Sequence, residues 1–254
     1  MLQIQQIPAL NDNYIYLIHD AKSGETAVVD PALAQPILNT LKQNNWNLTY
    51  ILNTHHHSDH VGGNLSLKQQ TNCQIIGSEN DQQRIPGIDK KVSEGDTLKL
   101  GAYTIQVISC TGHTTGHIAF YIPAASALFC GDTLFAMGCG RLFEGTAEQM
   151  QQSLNKFSSL PLDTKIYCAH EYTAANAKFA LSIEPKNKDL LATIERVKHL
   201  RANKQATVPT TLAQELATNP FLRTNSPEIQ KSLAMLGASE LAIFTELRER
   251  KNRF

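Results

Sequence analysis

The sequence has no excess of charge of either sign. Its 254 residues include 23 Lys and Arg against 23 Asp and Glu, so the formal net charge is zero. Surfaces that bind nucleic acid need a basic excess, and solvating acidic tails need an acidic one. Neither class is favoured by this composition, and we expect no nucleic-acid partner.

Long apolar runs and paired cysteines are also lacking. No stretch approaches the ~20 apolar residues of a membrane-spanning helix, and residues 1–12 lack the basic and apolar regions of a secretory signal. We therefore expect no membrane partner. The cysteines are scattered and odd in number, unlike a disulfide framework, which predicts reduced thiols and a cytoplasmic location. They are Cys73, Cys110, Cys130, Cys139 and Cys168.

What the sequence does contain is a change of pattern near residue 172. Hydrophobic residues make up 42% of the chain, which is enough for a folded core. Up to residue 172, short runs of branched and aromatic residues alternate with helical spacing, which predicts an α/β domain. Helical spacing alone continues after it. We therefore predict an α/β domain over residues 1–172 and an all-helical domain over residues 173–254.

Turn residues and capping signals set the bounds of the predicted elements. Thr146 with Gln149, and Thr211 with Gln214, are spaced as capping boxes at helix starts. The predicted strands are 3–8, 13–19, 25–30, 50–53, 74–77, 103–109, 118–122, 127–130 and 165–168. The predicted helices are 34–44, 62–70, 147–157, 174–182, 188–203, 212–217, 227–236 and 240–252.

Histidines are concentrated where predicted strands end, and the densest run is Thr54-His55-His56-His57-Ser58-Asp59-His60. His55 and His57 are two residues apart on extended backbone, so their rings project the same way. Asp59 and His60 follow at once and open the next helix. Imidazole and carboxylate donors without thiolates suit Zn, Fe or Mn. The run therefore predicts metal binding; the alternative is a helix start with a polar cap and solvated histidines.

Three later strand ends add further donors. His113 lies in a turn rich in glycine, and His170 follows the last predicted strand. Asp132 ends an apolar strand, where a carboxylate must be paired, coordinated or neutral, although it could instead accept backbone amides of a turn. Because strand ends in a parallel or mixed sheet meet in one crevice, we expect these side chains to converge. His117 starts a strand and is expected outside the ligand set.

Seven donors are too many for a single tetrahedral ion, so we predict two divalent metal ions, zinc foremost, with iron or manganese as alternatives. One ion would bind His55, His57 and His113, and the other Asp59, His60 and His170, with Asp132 bridging. Such a pair lowers the pKa of a water towards ~7 and polarises a bound carbonyl. We therefore predict hydrolysis, with Asp59 and Asp132 as catalytic carboxylates beside a metal-activated hydroxide.

These residues, in this order, resemble the metallo-β-lactamase superfamily. Within it, the chain is similar from end to end to the glyoxalase II family, the hydroxyacylglutathione hydrolases. The resemblance implies a four-layer αββα sandwich with a C-terminal helical domain, and metal residues at the seven donors above. It also implies hydrolysis of S-D-lactoylglutathione to D-lactate and glutathione, the second step of methylglyoxal detoxification. The segments that carry it are Thr54 to His60 with Gly62-Gly63, Asn11-Asp12-Asn13-Tyr14, Gly138-Cys139-Gly140-Arg141, Phe143-Glu144-Gly145-Thr146 and His170-Glu171-Tyr172-Thr173.

The resemblance further implies a glutathione site. Arg141, Tyr172, Arg248 and Lys251 stand at the family's substrate-binding positions, and Phe143 stands where some members have a tyrosine. The missing hydroxyl removes one contact with the peptide. Cationic side chains suit the two carboxylates of glutathione, whereas the other arginines of the last helix are expected to offset its dipole. We expect a glutathione thioester as the partner and a monomeric protein.

Two other functions compete with thioester hydrolysis. An iron-dependent sulfur dioxygenase acting on glutathione persulfide would share the motif, but relatives of that kind use one iron and have a shorter tail. A metal-dependent nuclease or RNA-binding module would need a basic stripe on the first domain. Residues 1–175 instead hold 10 Lys and Arg against 15 Asp and Glu. Oxygen consumption with the persulfide, or salt-dependent retention on RNA, would favour these alternatives.

Overall fold

The computed structural model describes residues 2–254, and the chain divides into two compact units. The first unit runs to Ser109 and includes Gly116–Gly131, and the second comprises Cys110–Thr115 and Asp132–Phe254. These two units are defined by which residues pack together. They do not test the predicted domain boundary at residue 172, which stays a prediction. No helix among residues 2–254 is long and apolar enough to cross a membrane.

The first unit contains a six-stranded mixed sheet in which neighbours in sequence are neighbours in space. The first three strands pair antiparallel and the remaining pairs are parallel. Every residue of the second strand is buried, as its run of branched and aromatic side chains predicts. The strands are β1 (Leu2–Ala9), β2 (Asn13–Asp20), β3 (Glu25–Val29), β4 (Asn47–Leu52), β5 (Gln74–Ser78) and β6 (Lys90–Val92).

Helices connect β3 to β4 and β4 to β5 in this sheet. They are α1 (Ala34–Asn44), α2 (Ser58–Val61) and α3 (Asn64–Thr71). The core of this part includes Ile15, Leu17, Ile37 and Ile51, all fully buried. Four further strands form an antiparallel meander in the same unit. They are β7 (Thr97–Leu100), β8 (Tyr103–Ser109), β9 (Ile118–Ile122) and β10 (Ala127–Gly131).

The second unit is mostly helical. Shortly after Asp132 it contains a short hairpin of two two-residue strands, β11 (Leu134–Phe135) and β12 (Gly138–Cys139). The strand β13 (Lys165–Cys168) pairs antiparallel with β14 (Thr210–Thr211). The helices are α4 (Ala147–Ser158), α5 (Thr173–Ile183), α6 (Lys188–Ala202), α7 (Leu212–Thr218), α8 (Pro227–Ser232) and α9 (Glu240–Arg253).

All nine predicted strands are present, and the start of α4 is the predicted capping box. The helix predicted over residues 62–70 is present as α3, but it begins two residues later, at Asn64, because Gly62 and Gly63 form the turn between α2 and α3. A Cβ on Gly63 would lie 2.7 Å from the carbonyl oxygen of Pro31, so this close approach requires glycine. The C-terminal region is helical apart from β14, which is too short to show alternation in the sequence.

Another predicted helix end differs from the structure, whereas one predicted helix start is present. The predicted helix over residues 227–236 ends at Ser232, and Ala234 has a φ of 58°, in the left-handed region that a helix cannot continue through. At the start of α7, Thr211 caps the helix by accepting the amide of Gln214. The early end of α8 depends on a single backbone angle, which helical spacing does not encode.

Candidate metal centre and substrate pocket

In the first unit, the histidine run leaves the end of β4 as predicted, and the rings of His55 and His57 meet. His55 Nε2 lies 3.0 Å from His57 Nδ1. His55 Nδ1 lies 3.1 Å from the hydroxyl of Thr54, which itself donates to a carboxylate. The ring of His55 therefore donates through Nδ1 and keeps the lone pair of Nε2 for a ligand.

Asp59 and His60 lie in α2, the single helical turn that follows the run. His60 Nε2 is 3.4 Å from a carboxylate oxygen of Asp59. The amide of Asn13 donates to the same carboxylate oxygen at 2.9 Å. The structure thus brings together all four candidate donors of the first unit, and Asn13 supports one of them.

Asp30 is the residue of this site that sequence reasoning missed. Its carboxylate accepts the Thr54 amide at 2.8 Å, the Thr54 hydroxyl at 2.6 Å and His60 Nδ1 at 3.0 Å. Asp30, His55 and His60 each offer one ligand atom, and these three atoms lie within 4.8 Å of one another. A signal was present, because Asp30 follows the apolar run of β3 as Asp132 follows β10.

His117, also in the first unit, is fully buried. Its ring stacks on that of His55 with centroids 4.6 Å apart and an angle of 18°. A stacked ring presents its face to its neighbour instead of a nitrogen lone pair, which is consistent with a position outside the ligand set. That position stays a prediction.

In the second unit, His113, Asp132 and His170 converge. His113 Nε2 lies 3.5 Å from one oxygen of Asp132, and His170 Nε2 lies 3.4 Å from the other. His113 Nδ1 donates to the carbonyl of Arg141 at 2.8 Å, which leaves Nε2 as the donor atom. A Cβ on Gly140 would run into the carbonyl of Asp132, so glycine is required where the chain passes this carboxylate.

These donor sets fit divalent metal ions. In both units imidazole Nδ1 atoms are held by oxygen acceptors, and the Nε2 atoms of His60, His113 and His170 point to carboxylates. Histidine ligands in proteins show this arrangement, in which an acceptor fixes the tautomer and orientation of the ring. Nitrogen and oxygen donors without thiolates suit Zn, Fe or Mn. The residues present are therefore able to bind divalent cations.

A pocket of about 400 Å³ in the second unit reaches two of these donors. Three cationic side chains line it together with aromatic ones. Burial, and then the charges of Arg248 and Arg141, lower the pKa of the Lys251 ammonium. The pocket therefore concentrates positive charge, which suits an anionic ligand. Its lining residues are His113, Asp132, Phe135, Cys139, Arg141, Phe143, Tyr172, Ala175, Asn176, Arg248 and Lys251.

The aromatic side chains of the pocket lie against the histidines. Tyr172 is stacked on His170, with ring centroids 4.7 Å apart and an angle of 3°. Phe143 is 63% exposed and makes an edge contact with His113 at 5.2 Å. Each ring therefore covers one side of a candidate metal ligand and presents another side to the pocket.

Arg248 differs from the other two cations because it is buried, at 4% exposure. Its guanidinium donates to the carbonyls of Cys139 at 2.8 Å and Gly140 at 3.3 Å. Lys251 donates to the carbonyl of Ala175. Arg248 thus has a role in holding the chain near Asp132 as well as lining the pocket.

The two cysteines nearest the site are buried thiols. Burial raises the pKa of Cys168 to about 12, and burial also raises the pKa of Cys139. A thiol with a raised pKa carries little of the thiolate that acts as a nucleophile. This environment favours a reaction without a covalent cysteine intermediate.

Comparisons with known proteins identify the family of the chain. The family model described as Metallo-beta-lactamase superfamily matches residues 10–170, and the model described as Hydroxyacylglutathione hydrolase C-terminus matches residues 171–254. The chain is 54% identical over 254 residues to a hydroxyacylglutathione hydrolase of Methylococcus capsulatus, covering all of this chain and 99% of the relative. The chain belongs to the hydroxyacylglutathione hydrolase family.

A second relative shows the same family, and a solved structure shows the same fold. A hydroxyacylglutathione hydrolase of Rhodospirillum rubrum is 49% identical over 253 residues, covering 100% of this chain and 99% of the relative. The crystal structure of ETHE1 from Myxococcus xanthus has a TM-score of 0.69 at 24% identity, covering 98% of each chain. The fold is therefore the predicted metallo-β-lactamase fold, α/β with mixed sheets, followed by the helical region of the hydroxyacylglutathione hydrolase family.

Proposed function

We propose that the chain hydrolyses the thioester of S-D-lactoylglutathione, and of related 2-hydroxyacylglutathiones, to the hydroxy acid and glutathione. This is the second step of methylglyoxal detoxification. One observation carries the proposal: a single pocket is lined by His113 and Asp132 and also by three cationic side chains. Such a pocket places an anionic substrate beside metal-binding donors. The names of the relatives support the same reaction.

We propose two divalent metal ions, zinc foremost with iron or manganese as alternatives, held by the two donor sets together. His55, His57 and His113 would hold one ion, and Asp59, His60 and His170 the other, with Asp132 between them. When bound, the cations polarise the thioester carbonyl and lower the pKa of the attacking water. The family model over residues 10–170 supports this assignment, because it spans both donor sets.

The chain's own side chains orient the reaction. Asp59 and Asp132 are the carboxylates proposed to align the attacking water and hold its proton, and the Asp132 carboxylate lies against two imidazoles. The leaving group is a thiol with a pKa of ~8.5, so it departs as a thiolate without prior protonation. This chemistry needs no separate general acid.

We propose that Arg141, Arg248 and Lys251 bind the carboxylates of the glutathione part by charge-assisted hydrogen bonds. Tyr172 and Phe143, which line the same pocket, would contact its peptide backbone and thioester. Phe143 offers no hydroxyl, so that contact is apolar. We propose that residues 1–172 form a metal-binding domain and that residues 173–254 form a glutathione-binding domain. We also propose that the protein is a cytoplasmic monomer.

The test measures thioester cleavage of S-D-lactoylglutathione by the purified protein. We expect turnover in the wild type and its loss in Asp132→Ala and His57→Ala, each of which removes one proposed ligand. The same preparation is offered glutathione persulfide while oxygen is followed. Oxygen consumption without thioester cleavage would reject this function in favour of a sulfur dioxygenase.

A further inference from the structure

The β11–β12 hairpin of the second unit is too short to fix its own position. It has two cross-strand pairs, Leu134 with Cys139 and Phe135 with Gly138. Isolated hairpins are marginal in water even when longer. Its turn contains Met137 at a φ of 55°, in the left-handed region that non-glycine residues avoid. Something outside the hairpin therefore holds it.

Buried side chains that follow β14 hold the hairpin by its backbone. Asn219 donates its side-chain amide to the carbonyls of Phe135 at 3.1 Å and Gly138 at 3.0 Å, one on each strand. Glu215 accepts the backbone amide of Met137 at 2.7 Å. The Asn219 amide also lies 3.0 Å from the Glu215 carboxylate, so the two side chains hold each other.

Both side chains are fully buried. Glu215 belongs to α7, and Asn219 follows that helix directly. Burying an amide and a carboxyl group is unfavourable unless their hydrogen bonds are satisfied, and these bonds go to the hairpin instead of to water. An apolar pair would fill a helix interface without that cost. The polar pair thus positions the hairpin, and the side-chain oxygen of Asn219 in addition accepts the backbone amide of Phe221 at 3.1 Å.

The hairpin reaches the candidate site through the ring of Phe135. This ring makes edge contacts with Tyr172 at 5.2 Å and with His170 at 6.0 Å between centroids. Tyr172 is in turn stacked on His170. Phe135 also lines the pocket. A shift of the hairpin would therefore move one wall of the pocket and release the rings around His170.

We propose that Asn219 and Glu215 are positioning residues for the substrate pocket and for His170, acting through the β11–β12 hairpin. Neither residue is among those that line the pocket or form the donor groups described above. One readout, the KM for the thioester, rests on the proposed function. A second readout, the affinity of the chain for Zn²⁺ in competition with a chelator, requires no turnover. If the wild type fails to cleave the thioester, the proposed function is wrong, and the Zn²⁺ measurement still tests the two positioning residues.

The test compares Asn219→Ala with Asn187→Ala. Asn187 also donates its side-chain amide from the helical region to a backbone carbonyl, that of Ala217 at 2.9 Å, but makes no contact with the hairpin. We expect Asn219→Ala to raise the KM and to weaken Zn²⁺ binding, each about tenfold, with a smaller change in kcat. Asn187→Ala should leave both values at the wild-type level. A lower Tm in Asn219→Ala with unchanged KM and Zn²⁺ affinity would overturn the proposal.

Two further variants keep the test decisive if Asn219→Ala does not fold. Glu215→Gln keeps an oxygen that can accept the Met137 amide, and we expect it to retain the wild-type KM and Zn²⁺ affinity. Phe135→Leu leaves the backbone bonds in place and removes the ring, so it should reproduce the raised KM and the weaker Zn²⁺ binding. Wild-type values for Phe135→Leu would show that the hairpin does not act on the site.

Discussion

Asp30 sits directly after β3 with a φ of 49°, in the left-handed region, and its carboxylate is almost completely buried. It accepts the Thr54 amide with one oxygen and two further donors, the Thr54 hydroxyl and His60 Nδ1, with the other. Through that hydroxyl it also fixes the tautomer of His55. One carboxylate therefore orients two imidazoles that we propose as ligands of different ions.

Asp30→Asn would replace one acceptor by an NH₂ donor while keeping the size of the side chain. We expect Zn²⁺ affinity to fall by about tenfold or more, the range found when partners of metal ligands are removed. The measurement is competition with a chelator. Asp89→Asn is the control, because Asp89 bonds to Lys68 and to the Ile75 amide, away from the histidines. Equal Zn²⁺ affinity in the two variants would contradict the role of Asp30.

Glu215 is a buried carboxyl group whose protonation affects the stability of the chain. Burial raises the pKa of its carboxyl group from 4.5 to about 7, against the opposing effect of the hydrogen bonds it accepts. Between these two values the folded chain keeps a proton that the unfolded chain has lost, so this group makes the free energy of unfolding fall as the pH rises. The full effect is on the order of 3 kcal/mol.

The measurement compares the wild type with Glu215→Gln by urea unfolding across the range from pH 4.5 to pH 7. The glutamine does not titrate, so the stability of the variant relative to the wild type should increase as the pH rises. All other groups titrate alike in both chains and cancel. A difference that stays constant with pH would show that Glu215 keeps its ordinary pKa in the folded chain.

At the scale of elements, the last helix α9 supplies two cations with different surroundings. Lys251 is half-buried at the pocket, and Arg248 is buried against the carbonyls that precede Arg141. We expect Lys251→Ala to raise the KM of the thioester with little change in kcat, as loss of uniform substrate binding does.

Arg248→Ala should raise the KM too, and should also lower the Tm, because the carbonyls of Cys139 and Gly140 lose a buried donor. Kinetics and thermal unfolding of both variants check this difference. An unchanged Tm in Arg248→Ala, or a pure loss of kcat in either variant, would contradict these roles.

The elements also show what sequence patterns can predict. Strands such as β8 and β9 were predicted at their exact bounds because their branched residues are closed by turn residues. The two-residue strands β11, β12 and β14 were missed, since a period cannot be read from two residues. Their positions depend on bonds from distant side chains, such as Asn219 to Phe135, which no local pattern contains.

The whole molecule has zero net charge, but cationic side chains are concentrated at one pocket. Arg141, Arg248 and Lys251 gather at one pocket from segments more than 100 residues apart. The sequence predicted the donor sets because each follows a strand end, and the similarity to the family added the substrate residues. Asp30 was missed although it follows an apolar strand as Asp132 does. The supports of the hairpin could not be predicted, because their roles arise from tertiary hydrogen bonds and not from the types of their sequence neighbours.

The most direct measurement strips metal from the protein with a chelator and returns Zn²⁺ in steps, with bound metal and S-D-lactoylglutathione cleavage determined in the same samples. We predict an inactive metal-free chain whose turnover returns as bound metal approaches two ions per chain. Full thioester cleavage by the metal-free chain, or saturation at two ions without any cleavage, would contradict a hydrolase that depends on two cations.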